Sequence, residues 1–183
     1  MKQTSFLPKQ SMEHGGDTRT GKRKVVRPFD RKRPLHVVMK ATRARGPLSM
    51  LSRRNARAVE SLVSETAQRA GVRVYRFTNV GNHLHLLLKA PSRRQFQRFL
   101  RVLAGRIAFH VTGAKKGNAQ GKFWDKTAYS RLLTWGLQYD QVHSYLLKNA
   151  LEAIGFFRGR AHLKKELCFL SVSRLAKRRS PKR

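Results

Sequence analysis

Hydrophobic positions in the middle of this chain switch between two periods. Leu35, Val37 and Met39 alternate with His36, Val38 and Lys40, the pattern of a strand with one buried face. From Ser52 to Ala70, residues Ala56, Val59, Leu62, Val63 and Ala67 fall at helical spacing, and Gly71 supplies a C-terminal stop. Period two returns in Val72 to Thr78, and Asn79-Val80-Gly81-Asn82 then turns the chain into a second apolar strand, completing a hairpin. Ser92 to about Val111 predicts a second helix with Phe96, Phe99, Leu100, Leu103, Ile107 and Val111 on one side. After the flexible-looking loop Gly113 to Gly121, Tyr129 to Leu133 is a short strand, and Leu137 to about Ala153 is a last helix ended by Gly155. The order strand, helix, strand, strand, helix, strand, helix defines an α+β protein: a ferredoxin-like split βαβ antiparallel sheet covered by helices on one face, with an extra C-terminal helix.

Charge narrows the function. The chain has 183 residues and is 40% hydrophobic, enough for a core, yet 41 Lys and Arg stand against 9 Asp and Glu, a formal charge of +32. A polyanion partner relieves that self-repulsion, and nucleic acid is the expected one. No apolar segment is long enough to span a membrane, and the N-terminus lacks the apolar run of a secretory signal, so a cytoplasmic, nucleoid-associated protein is expected. The single Cys168 excludes an internal disulfide and thiolate zinc sites. Basic clusters lie at both ends, so residues 1–33 read as a flexible basic arm, 34–157 as the folded domain and 158–183 as a basic extension. Candidate phosphate contacts are Arg93, Arg94, Arg98, Arg101, Lys115, Lys116, Lys122 and Arg131, with Phe123 and Trp124 either stacking on bases or packing in the core.

The second hairpin strand raises a chemical question. In Gly81-Asn82-His83-Leu84-His85-Leu86-Leu87-Leu88-Lys89, alternation sends Leu84, Leu86 and Leu88 to the core, and His83, His85, Leu87 and Lys89 to the other face. Two imidazoles two apart are close enough to share a divalent cation, although half-exposed histidines bonded to neighbours give the same pattern. In the last helix, Tyr145 and Asn149 are spaced i and i+4 and share one side. Packed beside the strand, they would bring a phenol and an amide oxygen toward the imidazoles.

Taken together, His83-Leu84-His85 with Leu86-Leu87, the downstream Phe123-Trp124 and the run Tyr145-Leu146-Leu147-Lys148-Asn149 resemble the single-tyrosine HUH transposases of simple bacterial insertion sequences, above all their REP-associated branch. The resemblance covers about residues 34–157. It implies His83, His85 and Asn149 as ligands of Mg²⁺ or Mn²⁺, Tyr145 as the nucleophile of DNA cleavage and rejoining through a 5′-phosphotyrosine, and single-stranded DNA with imperfect hairpins as the partner. The chain departs from that branch in following Asn149 with Ala150 rather than proline, and in having Leu146 where isoleucine is commoner. Members of the family act as monomers or homodimers, and a domesticated or non-catalytic nucleic-acid-binding protein would share the fold.

Overall fold

The structure, a computed structural model, describes residues 11–19, 25–115, 117–118 and 120–153. The two-residue strand β1 (Glu13–His14) is followed by β2 (Leu35–Lys40), α1 (Ala56–Ala70), β3 (Arg73–Asn79), β4 (His83–Lys89), α2 (Arg93–Thr112), β5 (Tyr129–Leu132) and α3 (Leu137–Ala153). They form one antiparallel five-stranded sheet in the order β1-β5-β2-β4-β3. Without β1, the order is that of a ferredoxin-like βαββαβ unit.

Each element follows from local chemistry. Helix α1 starts at Ala56 rather than at Ser52, because the buried Asn55 amide donates to the carbonyls of Pro47 and Ser49 and holds the preceding residues in turns. It ends at Gly71, whose φ of 65° is the left-handed cap that glycine adopts most readily. The Ser92 hydroxyl caps α2 by accepting from the Gln95 amide. Leu35, Val37, Met39, Leu84, Leu86 and Leu88 point to one side of the sheet and pack under α1 and α2 with Val59, Val63, Phe96, Phe99, Leu103 and Ile107.

The second face is covered in part as well, by the extra C-terminal helix α3. Leu87, from β4, meets Leu133 and Leu146 in a small separate cluster flanked by Tyr75, Tyr139 and Val142. The buried Thr78 hydroxyl of β3 donates to the Leu146 carbonyl at 3.0 Å, tying α3 to the sheet. A register shift between Val74 and Arg76 puts Tyr75 in a bulge and turns its ring toward Tyr139 and Trp135.

Residues 11–19 and 25–33 of the N-terminal region make specific contacts with the domain. β1 pairs with β5, and the Arg27 guanidinium donates to the Ser130 hydroxyl at 2.5 Å and the Ala128 carbonyl at 2.8 Å. Arg33 donates to the Leu133 carbonyl, and Phe29 stacks on Phe96. Gly15, with φ of 85°, passes so close to Ala128 that a Cβ would collide with its carbonyl oxygen. The extension 158–183, Gly155 and Cys168 lie outside the described residues.

Candidate active site on the open face of the sheet

Antiparallel pairing decides which side chains share the face opposite the main core. Lys40 lies across from His83, Val38 from His85, His36 from both Leu87 and Arg131, and Thr78 from His85. Residues directly opposite project to the same side. Hence His36, Lys40, His83, His85 and Arg131 occupy one surface, bounded by α3 over β3 and β4.

The imidazoles form a connected set. The rings of His83 and His85 meet edge to face at 4.8 Å, and those of His36 and His85 lie 5.5 Å apart with 10° between planes. His36 Nε2 and His85 Nδ1 are 3.3 Å apart, a hydrogen bond. His83 Nδ1 lies 2.7 Å from the Asn82 side-chain oxygen, to which it donates as Nδ1–H, leaving His83 Nε2 with a lone pair. His85 is 4% exposed, and its Nε2 is buried without a hydrogen-bond partner.

Burial sets the protonation states. It pulls the His85 pKa down to about 3, helped by its imidazole neighbours, and the His36 pKa down to about 4, helped by Arg131. His83 is lowered as well, first by burial and then by Lys40. All three are neutral at physiological pH, the form a metal ion requires.

Tyr145 stands next to this set. Its ring lies 5.9 Å from His85 at 88° and is 50% exposed, so its phenol is open to a substrate. Two other tyrosines close by are less suited to attack. Burial and a hydrogen bond to Glu13 push the Tyr129 pKa up to about 12, and burial also raises that of Tyr139.

The site's fit to a divalent cation rests on the orphaned His85 Nε2 and the His83 Nε2 lone pair beside it. Among the described residues no group of three His, Cys, Asp or Glu side chains is arranged to hold a metal. Asn149, an amide, is half-buried one helical turn beyond Tyr145 on α3.

The candidate DNA contacts disperse. Arg94, Arg98 and Arg101 are exposed on α2, in the layer behind the sheet and away from the imidazoles. Arg93 donates to the Arg27 carbonyl and lies over Phe29, anchoring the N-terminal region. Lys115 and Lys122 are exposed in the connection from α2 to β5, and Lys116 lies outside the described residues. Phe123 is not a stacking platform: it is 4% exposed inside the main core. Trp124 packs against it and donates its indole N–H to the Ala104 carbonyl at 2.9 Å. Arg131 does share the imidazole face, and its guanidinium lies 3.6 Å from the Glu13 carboxylate.

His36 and Lys40 join the site from β2 without having been singled out in the sequence. Their alternation with Leu35, Val37 and Met39 was the available signal, but it gives a face and not a neighbour. Two clefts of about 890 and 730 Å³ lie elsewhere, one lined by Leu62, Phe109 and His110 and the other by Arg27, Phe29 and Arg93. Neither is lined by the imidazoles of His36, His83 and His85.

The ferredoxin-like sheet thus brings a histidine pair and a helix-borne tyrosine together on the face opposite its main core. The sequence model of the IS200-like transposases matches residues 34–149, and the chain belongs to that family of DNA-transposing proteins. Among solved structures it is similar to a REP-associated tyrosine transposase bound to a REP hairpin, at 12% identity and a TM-score of 0.49 over 71% of this chain and 73% of that one. It is also similar to a protein of Deinococcus radiodurans described as a transposase, at 17% identity and a TM-score of 0.42 over 69% of this chain and 98% of that one. No curated protein matches it. Among the described residues no helix is long and apolar enough to cross a membrane.

Proposed function

We propose that this transposase cuts and rejoins single-stranded DNA with Tyr145 as its nucleophile, on a site in which His83, His85 and Asn149 hold Mg²⁺ or Mn²⁺. The observation that carries the proposal is the exposed Tyr145 ring 5.9 Å from His85, whose outward nitrogen is buried and unpartnered. The phenol oxygen attacks phosphorus, the bond from phosphorus to the 3′ oxygen breaks, and the strand end leaves as a 3′-hydroxyl after taking up a proton. The phenolic proton passes to solvent at the open face. The product is a 5′-phosphotyrosine, which a different 3′-hydroxyl attacks to rejoin strands without ATP. A bound cation would polarise the scissile phosphate. Lys40 and Arg131 add positive charge beside the same spot, where negative charge builds up on the phosphoryl oxygens. The resemblance to the REP-associated branch supports hairpin-containing strands as substrate and the cytoplasm as the setting, with 34–157 as the catalytic unit between basic ends.

Labelled hairpin DNA incubated with Mn²⁺ tests this. The unmodified protein should form a covalent adduct that survives denaturation, and Tyr145→Phe should form none. The double variant His83→Ala/His85→Ala should lose the adduct but keep hairpin binding. Adduct of equal yield in Tyr145→Phe would eliminate Tyr145 as the nucleophile.

A further inference from the structure

The mechanism above leaves His36 unused, although it is the residue most intimately joined to His85. It approaches from β2 with its ring parallel to that of His85, its Nε2 is 3.3 Å from His85 Nδ1, and its other side is packed edge-on by Tyr129 at 6.5 Å. A neutral imidazole pair joined by one hydrogen bond contains a single bridging proton, and two arrangements are open to it. If His36 donates, His85 carries its own proton on Nε2, a buried N–H that has no acceptor among the described residues and cannot ligate a cation. If His85 donates from Nδ1, the buried Nε2 is a lone pair, unpartnered until a cation takes it up, on a ring whose centroid lies 5.9 Å from that of Tyr145. The second arrangement repeats what Asn82 does for His83, where an acceptor on Nδ1 frees Nε2. Each imidazole of the pair would then have its own outer acceptor, one from the residue before it and one from the neighbouring strand.

We infer that His36 is a positioning residue: by accepting the His85 Nδ1 proton it fixes the His85 tautomer and ring orientation, so that His85 Nε2 is presented as a cation ligand. Outer partners of this kind commonly change metal affinity by about 10- to 100-fold. The inference rests on the proposed cation site, but its first half concerns the metal-free protein and stands or falls separately.

Two variants separate hydrogen bonding from packing. His36→Phe keeps a flat ring against His85 and removes the acceptor, whereas His36→Gln gives up the ring and restores an acceptor oxygen. Imidazole ¹⁵N spectra of the metal-free unmodified protein near pH 7 should show His85 protonated on Nδ1. Finding its proton on Nε2 would overturn the inference. Titration with Mn²⁺, followed by loss of the free-ion electron paramagnetic signal, should show His36→Phe binding about 10- to 100-fold more weakly than the unmodified protein. His36→Gln should lie within a few-fold of it. Equal affinity in His36→Phe, or equal losses in both variants with native melting temperatures, would reduce His36 to packing. If the unmodified protein itself binds no Mn²⁺ while His85 carries the Nδ1 proton, the cation reading fails and the tautomer assignment survives.

Discussion

Truncating Leu146 should free the tyrosine helix without unfolding the protein. This side chain is fully buried, but in the small cluster with Leu87 and Leu133, separate from the core beneath α1 and α2. Leu146→Ala removes three carbons, about 2.4 kcal/mol of transfer free energy at about 0.8 kcal/mol each. The residual cavity adds to this, while the half-buried Tyr75, Tyr139 and Val142 around it can close in and take some back. A net loss of about 2–3 kcal/mol follows, and it falls on the docking of α3, which is otherwise held by the Thr78 hydroxyl bond and by ring contacts of Tyr139 and Tyr145. Native-state hydrogen exchange measures this directly. Amides of α3 should exchange roughly 30- to 150-fold faster in the variant, at about 1.4 kcal/mol per tenfold, while those in the middle of α1 and α2 keep their protection. Adduct formation on hairpin DNA should slow as well, since Tyr145 is the adjacent residue. Unchanged α3 protection, or a loss shared equally by α1 and α2, would refute the separation of the two clusters.

The imidazole set also makes stability depend on pH in a set direction. Above about pH 6.5 the histidines are neutral in both the folded and the unfolded chain and contribute no slope; below it, the unfolded chain takes up protons that folded His36 and His85 refuse until about pH 4 and 3. The melting temperature should therefore fall as pH drops from 6.5 toward 4, and the double variant His36→Phe/His85→Phe should flatten that limb in thermal scans. Phe123→Ala should destabilise the whole domain by about 3–5 kcal/mol in urea unfolding, the effect of emptying a core site rather than of losing a DNA contact. Arg131→Ala should weaken binding of single-stranded DNA and lower the slope of log K against log salt by about 0.7, whereas Arg98→Ala, on the back of the helical layer, should leave cleavage kinetics unchanged.

The histidine strand was legible because leucines and imidazoles alternate within one short segment, so that one face accounts for the core and the other is left to be explained. The spacing of Tyr145 and Asn149 was equally local. What brings His36 to His85 is a register between segments 49 residues apart, and alternation fixes which face a side chain takes but not which residue it meets. For Phe123 and Trp124 the sequence left base stacking and core packing both open. Their burial depends on packing against the core beneath α2, where the Ala104 carbonyl accepts the indole proton. The N-terminal region was read from its charge, yet it is held by single arginines reaching backbone carbonyls and by a two-residue strand, contacts that leave no periodic trace.

The two margins of the sheet have a bearing on how copies of this protein can meet. On one side the last strand is β1, only two residues long, and on the other β3 is interrupted by the bulge at Tyr75 and carries Arg73 and Arg76 beside it. A ribbon broken or shortened in this way offers a poor template for another chain, and zipping a second molecule onto β3 would strip water from two guanidinium groups. Among the described residues, both rims of the sheet are therefore unfavourable places for another chain to add a strand.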